Sequence, residues 1–600
     1  MSGALLRLVR SARTTMFIAN VAEKAVSATA GRGMTMGNAK YIRIALVYSG
    51  FGGMAQALWA GLRDDGHEVV RPEDLGFEPP LSPDDMLRFA ELAGADVIFC
   101  PFLKEVVPPT VCERWTTWIP HPGIRGDGGP SSLSWAILEG ETTWGLTMVR
   151  AEPSVAASDL DTGNVGAWRE FPVPPDVTVG ELYAQQVTPA ALACTREVLD
   201  RMRVDPGYVG VPLAGFGDEV RGRCRPALSQ AALAFSWEDH PEDIARRIRA
   251  ATFGVRTELA GQPVNVFDAH PHDGDDRWFR PGTVVAHRDG AVLVGAGHGG
   301  ALWIGHAKVR KDAGGRGLKL PAVAAVGRAL AGVREHTLHP DRPRGGPRTH
   351  QVIRYLRAGD VGWIHVTPFN GACSTTFCGR LLAALRYAAA QHTSAIALVG
   401  GRAAWNNGIH LGVIEAAQDP QAEAWANIRR IDDVAELVFG LSRGHRGLRP
   451  QRTIAVLNAS AGAGGAVLSA CFDVVLARPS VTLNYHYATM GLSGSELRSL
   501  VLPLRAGEQQ AKRLLTECLP VSAAAARDLG LVDEIGPDEP DAFAAWAAER
   551  AAAAATGWRE PPTPIDTAPY RRDELEDMRA DIFLDRDGFA AKRRAFLGVS

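Results

Sequence analysis

The feature that most constrains this chain is that a strand–glycine turn–helix alternation occurs twice, with short strands and a basic Pro/Gly stretch between the two occurrences. Ile42–Tyr48 (IRIALVY) is an apolar, β-branched run that ends in Ser49-Gly50-Phe51-Gly52-Gly53. A helical pattern follows to Gly66, and further strands are predicted at Val69–Val70 and Ala95–Cys100. Such alternation packs as a parallel α/β sheet, because each element has one apolar face to bury. The turn after the first strand lacks a full GxGxxG, so no dinucleotide site is read there, although such a turn can hold an anion at a helix N-terminus. A helix is predicted over residues 183–203. From about Pro226 the runs PGTVVAH, GAVLVG and GGALWIG read as short strands between glycine turns, which suggests a small β-barrel of OB type. The stretch 307–349 has the composition of a linker (HPDRPRGGPR). A second α/β unit begins near Val352, with strands at Val361–Thr367, Ser394–Val399 and Thr453–Leu457 and helices over Cys378–His392 and Asp432–Leu441.

The 600 residues exceed what one core organises. The reading is therefore an α/β multidomain chain: an extension over 1–40, a parallel α/β domain over 41–210, a small β-domain over 211–310, a linker over 311–349, a second α/β domain over 350–540 and a helical tail over 541–600. A net charge of −3 argues against a nucleic-acid partner. No apolar run reaches the roughly 20 residues that a membrane span requires. The eight cysteines form no CxxC pair, and the five-residue step from Cys373 to Cys378 suits a zinc site poorly. They read as reduced thiols of a cytoplasmic protein. The first forty residues carry six basic residues and one acidic residue. They read as a dispensable extension, or an early start codon ahead of Met34 and Met36, rather than as a transit peptide.

Two stretches carry chemistry. The first runs Trp118-Ile119-Pro120-His121-Pro122-Gly123-Ile124-Arg125-Gly126-Asp127 and on through Gly129-Pro130-Ser131-Ser132, followed some forty residues after His121 by Asp159-Leu160-Asp161-Thr162-Gly163. It resembles the folate-dependent formyltransferases, over about residues 41–310. The resemblance implies N10-formyl-tetrahydrofolate as substrate, a folate-binding loop including Gly123, Pro130 and Ser131, and His121 and Asp161 in one site. Formyl transfer needs a proton shuttle near neutral pH, which histidine supplies, and a carboxylate beside it holds the tautomer. The sequence departs from that pattern at Ile119, where the family carries an asparagine, and at Gly128-Gly129, where an Arg-Gly pair is usual.

The second stretch follows the strand ending at Val399. Gly400-Gly401-Arg402-Ala403-Ala404-Trp405-Asn406-Asn407-Gly408 is one glycine turn, and Ala461-Gly462-Ala463-Gly464-Gly465-Ala466 is another. The pair resembles the crotonase (enoyl-CoA hydratase/isomerase) superfamily over roughly residues 350–540. That implies a coenzyme A thioester whose carbonyl oxygen is held by backbone N–H groups of Asn407–Gly408 and Gly464–Gly465. By position, the two glutamates of a hydratase fall at Val467 and Tyr487, so hydration lacks its proton machinery. What remains is Asn484-Tyr485-His486-Tyr487 and Gly494-Ser495-Glu496. Those runs, with HPGI…GD, GPSSL and NNGIHL, resemble the hydrogenase maturation factors called HypX or HoxX, in which a formyltransferase half precedes a crotonase half. The resemblance implies transfer of formyl to coenzyme A, then loss of carbon monoxide from formyl-CoA to supply the iron of [NiFe]-hydrogenase, with Tyr487 and Glu496 moving the protons and hydrogenase maturation proteins as partners. Two other readings stay open: a formyltransferase fused to an unrelated acyl-CoA hydratase, isomerase or hydrolase, and a non-catalytic assembly factor. No metal is expected. His270 and His272, with Asp268, Asp273, Asp275 and Asp276, read as a solvated polar loop.

Overall fold

The computed structural model describes residues 41–153, 163–272, 279–310, 317–336, 350–444, 447–557 and 562–599, with the side chain of Arg328 left aside. The expected 1–40 extension and Asp161 lie outside the described residues.

The N-terminal sheet holds β1 (Arg43–Leu46), β2 (Glu68–Val70), β3 (Val97–Phe99), β4 (Thr117–His121), β5 (Thr143–Arg150) and β6 (Val165–Pro172), in the order β2-β1-β3-β4-β5-β6. The first four strands pair in parallel, as expected. β5 and β6 add on antiparallel, with His121 opposite Thr147. The parallel strands are buried almost throughout, as strands covered on both faces must be. The helix Gly53–Asp64 covers one face, and Thr188–Val204 packs against it and against β6. A five-residue π-helical turn, Tyr183–Val187, leads into that second helix.

The small β-domain is a seven-stranded sheet: β7 (Val255–Leu259), β8 (Gln262–Pro271), β9 (Val284–Arg288), β10 (Ala291–Gly295), β11 (Ala301–Val309), β12 (Lys319–Pro321) and β13 (Arg334–Glu335). The last two strands lie inside the stretch whose composition reads as a linker. They are held because β12 pairs with β11 and β13 with β9. Residues 211–225, expected with this domain, instead run back along the first one: Val165 N–H donates to Val211 O at 2.8 Å, and Arg225 N–H donates to Gly128 O at 2.9 Å.

The second α/β unit is built on β14 (Ile353–Ala358), β15 (Val361–Val366), β16 (Ala395–Val399), β17 (Arg452–Leu457), β19 (Val474–Ala477) and β22 (Glu534–Ile535), in that spatial order. β14 is antiparallel to β15, and the rest pair in parallel. A second small sheet joins β18 (Ala461–Gly462), β20 (Thr482–Asn484) and β21 (Val521–Ser522). The tail is helical over Pro540–Gly557, Ala568–Phe583 and Phe589–Leu597.

The two halves are docked by specific polar contacts. Gln185, carried on the π-turn, donates to Arg402 O at 2.6 Å and Asn458 O at 3.1 Å and accepts from Arg478. Arg402 pairs with Asp176 and Glu181 at 3.2 and 3.1 Å. Ser522 Oγ–H donates to Asp64. A π-turn widens one helical turn and re-aims its side chains. Here it sends a glutamine from the first half among the carbonyls of the second.

Candidate active sites

His121 ends β4, and its ring is buried. The loop after it doubles back tightly: Gly123 N–H donates to His121 O at 2.8 Å. A Cβ on Gly123 would lie 2.5 Å from His121 Nε2 and 2.6 Å from Asp127 Oδ2, so only glycine lets the imidazole and carboxylate meet across the turn. They do meet: His121 Nε2 is 3.3 Å from Asp127 Oδ2. Asp127 is 1% exposed, and its other oxygen accepts from Arg225 at 2.6 Å; Arg225 in turn reaches Glu139 at 2.7 Å. The aspartate is thus fixed by a guanidinium from the returning 211–225 segment. That segment also explains Gly128-Gly129. Gly129 has φ +102°, and a Cβ there would lie 2.0 Å from Arg225 O, so no side chain fits. Sequence reasoning assigned the orienting carboxylate to Asp161, which lies outside the described residues, and passed over Asp127 although it lies within the quoted motif. Of the expected folate loop, Gly123 is buried, Pro130 is exposed, and Ser131 accepts Leu228 N–H at 3.0 Å. Ile119 lies on β4 with an apolar side chain that cannot polarise a carbonyl.

In the second half the two glycine turns converge. Gly462 N–H donates to Asn406 O at 2.9 Å, and a Cβ on Gly465 would lie 2.1 Å from that same oxygen. A Cβ on Gly408, at φ +76°, would lie 3.2 Å from Gly464 N. The donors differ from expectation. Asn407 N–H is spent on Gly371 O at 2.8 Å, and Gly408 N–H on the Asn406 side chain at 2.7 Å. The asparagine at 406 makes the difference, because its carbonyl oxygen folds back onto the turn. Gly464 and Gly465 open the helix Gly464–Ala470, so their N–H groups precede any helical acceptor.

Tyr487 and Glu496 come together as a pair: Tyr487 O–H donates to Glu496 Oε2 at 2.7 Å, with both residues buried. Ser495 Oγ–H also donates to Oε2, at 3.0 Å. The other oxygen, Oε1, faces Gly464, where an added Cβ would lie 2.2 Å from it. Burial pushes the Glu496 carboxyl up to about 7, and burial followed by the neighbouring carboxylate pushes the Tyr487 phenol well above its ordinary value. The pair therefore offers a neutral O–H donor beside a carboxyl raised toward neutrality, as proton transfer in both directions requires. Val467, at the position of a hydratase glutamate, is fully buried and apolar.

Sequence reasoning missed the braces of this pair. Glu496 and Leu497 both have φ +61°. This strained turn is pinned from the tail helix Ala568–Phe583: Ser499 N–H donates to Glu574 at 2.6 Å, and Ser493 N–H donates to Asp581 at 2.7 Å. From the other side, Glu496 N–H donates to Asp432 at 3.1 Å. The only local signal was the charge density of the tail.

His270 does not lie in a solvated loop. Asp268 and His270 are residues of β8 and contact each other at 2.7 Å, and His350 joins them from just before β14. His272 packs on Trp303, while Asp273, Asp275 and Asp276 lie outside the described residues.

A formyltransferase-type module with a buried His–Asp site, joined to a crotonase-type module with a Tyr–Glu pair, defines the class: a fused two-site enzyme. The match to known families agrees, with residues 227–315 fitting the formyl transferase C-terminal domain and residues 367–559 the enoyl-CoA hydratase/isomerase family. The chain is 34% identical over 562 residues to the hydrogenase maturation factor HoxX of Bradyrhizobium diazoefficiens, covering 90% of this chain and 92% of that one. The structure of HypX from Aquifex aeolicus in complex with tetrahydrofolic acid superposes with a TM-score of 0.83 at 31% identity, covering 93% of this chain and 96% of that one. The chain belongs to the HypX/HoxX family of hydrogenase maturation factors. Its first half alone is 30% identical over 272 residues to methionyl-tRNA formyltransferase of Sorangium cellulosum, covering 44% of this chain and 82% of that one. Among the described residues no helix is long and apolar enough to cross a membrane, and no two cysteines form a disulfide.

Proposed function

We propose that the first site transfers formyl from N10-formyl-tetrahydrofolate to the thiol of coenzyme A, and that the second splits the resulting formyl-CoA into carbon monoxide and coenzyme A. The CO is destined for the active-site iron of [NiFe]-hydrogenase, handed on to other maturation proteins in the cytoplasm. In the first step His121 takes the thiol proton as sulfur attacks the formyl carbon, and returns it to N10 as the C–N bond breaks. Asp127, with Asp161 as the second carboxylate, orients the ring and stabilises the imidazolium. In the second step the Gly464 N–H holds the thioester oxygen. Glu496 Oε1 takes the formyl proton, and the C–H electron pair stays on carbon. The C–S pair leaves with sulfur, and the Tyr487–Glu496 pair returns the proton to it. One formyl-CoA thus yields one CO and one free thiol, with no change of oxidation state to be balanced from outside.

The observation that carries this reading is the 2.7 Å Tyr487–Glu496 hydrogen bond beside Gly464, with Val467 where a hydratase keeps its glutamate. The test is to mix the protein with formyl-tetrahydrofolate and coenzyme A and analyse the headspace. CO in proportion to the folate consumed supports the proposal. Turnover of the folate to formate with no CO, or inertness toward both substrates, refutes it.

A further inference from the structure

At the junction of the two halves, beside the turn 400–404 that leads into the second site, lies a cavity of about 480 Å³ whose wall includes Asp268, His270 and His350. We propose that these three side chains bind one divalent transition-metal ion of the zinc type. One ligand atom from each lies within 4.8 Å of the other two. Two imidazoles and one carboxylate suit zinc-like ions, whereas magnesium and calcium prefer all-oxygen shells.

The residues are arranged as a ligand set rather than as a chance cluster. Asp268 is a non-glycine residue at φ +58° in the middle of β8, at the gap in pairing between Phe267↔His306 and Ala269↔Ile304. The residue left opposite is Gly305, where an added Cβ would lie 1.9 Å from Asp268 Oδ2. The strand is thus bent, and its neighbour stripped of a side chain, to seat this carboxylate. His306 Nδ1 lies 3.3 Å from Oδ2, leaving Oδ1 toward His270 at 2.7 Å. An outer-shell imidazole that orients a ligating carboxylate is a common support of metal centres.

His350 is the second observation that points to a ligand. It is 6% exposed, and its Nε2 is buried with no hydrogen-bond partner. Its backbone carbonyl accepts from Arg288 at 2.5 Å and its ring lies 6.2 Å from that of Trp303, which fixes where the nitrogen points. An orphaned buried imidazole nitrogen costs free energy unless something fills the place of its partner. To accept the ion, the His270–Asp268 contact opens from 2.7 Å to roughly 3.3 Å, the edge of a tetrahedron with ligands about 2.0 Å from its centre. The ion would tie β8 to the segment entering β14, leaving its fourth position open to the cavity. Its task in that place is to lock the domain junction.

The test uses full-length protein stripped by chelation, then titrated with Zn²⁺ by calorimetry and with Co²⁺ by visible absorption. The expected result is one ion per chain, a tetrahedral Co²⁺ band, and a Tm raised by several degrees on metal addition. His350→Ala should weaken binding by more than the roughly 10- to 100-fold that loss of an outer-shell partner costs, and His306→Ala by about that amount. His270→Ala guards against misfolding, because the His270 side chain is 39% exposed and its loss should leave the fold intact. Failure of the wild type to bind either ion, or full affinity in both His350→Ala and His270→Ala, overturns the proposal and leaves Asp268 and His270 as a hydrogen-bonded pair only.

Discussion

The two candidate sites each centre on a buried carboxylate, and they treat it oppositely. Asp127 is anchored by a guanidinium at 2.6 Å that is itself tied to Glu139. Among the described residues Glu496 accepts from uncharged donors, Tyr487 and Ser495, and it lies near two further buried acids, Glu574 and Asp432. The Arg571 guanidinium beyond it is spent on Asp432, Asp433 and Glu436. A carboxylate that must orient a histidine is served by a permanent counter-charge. One that must itself take and release a proton is served by burial without a counter-charge, which brings it to about 7. The contrast supports the proposed roles, in which the imidazole carries the proton at the first site and the carboxyl at the second.

The sharpest way to break this comparison is to remove the carrier at the first site alone. His121→Ala should slow formyl-CoA formation by about two to four orders of magnitude, the usual weight of a general acid–base group. The same variant should release CO from supplied formyl-CoA at the wild-type rate. Loss of both activities would mean that the halves do not act separately. Asp127→Asn should cost transfer about tenfold to a hundredfold, less than the roughly 10⁴ that loss of a sole orienting aspartate costs, on the proposal that Asp161 supplies a second carboxylate. Single-turnover transfer rates decide this, and an unchanged rate would reduce Asp127 to scaffolding.

A smaller effect concerns pH. With Glu496 proposed as the base of the second step, CO release from formyl-CoA should fall about tenfold per pH unit below its pKa of about 7 and level off above it. Stability should run the other way. The folded carboxyl titrates higher than the unfolded one, so between about 4.5 and 7 the unfolded chain ionises first and the native state loses stability as pH rises. Glu496→Gln removes that penalty. At pH 8 it should melt at or up to a few degrees above wild type, with the gap closing toward pH 5. A variant less stable than wild type at every pH would show that the carboxylate holds the fold together rather than straining it.

Much of this was readable along the chain, and the rest failed for physical reasons. The strands at Ile42–Tyr48 and Ser394–Val399 announce themselves by apolar, β-branched runs, and β1 and β16 lie within them. Tyr487 and Glu496 are nine residues apart and meet through a turn marked by Gly491 and Gly494. Asp127 was in view, but its partner Arg225 lies 98 residues away, and no local pattern shows that a segment will return across the loop. Glu574 and Asp581 sit on a helix whose sequence reads as an ordinary charged tail; its burial comes entirely from the surface it meets. The Asn407 and Gly408 N–H groups were expected to face the thioester, because the glycine pattern marks a turn but not the side chain of Asn406 that caps it. His350 follows a Pro/Gly-rich run that looks like a linker, yet it folds onto β8.

One measurement tests the proposed division of labour between the two halves directly. Tyr487→Phe and Glu496→Gln are given formyl-tetrahydrofolate and coenzyme A, with CO followed by gas analysis and formyl-CoA by mass spectrometry. The expected result is folate consumption near the wild-type rate, CO release reduced by about two orders of magnitude or more, and accumulation of formyl-CoA or the formate of its hydrolysis. Wild-type CO release from both variants would contradict the account and place the second step elsewhere in the chain.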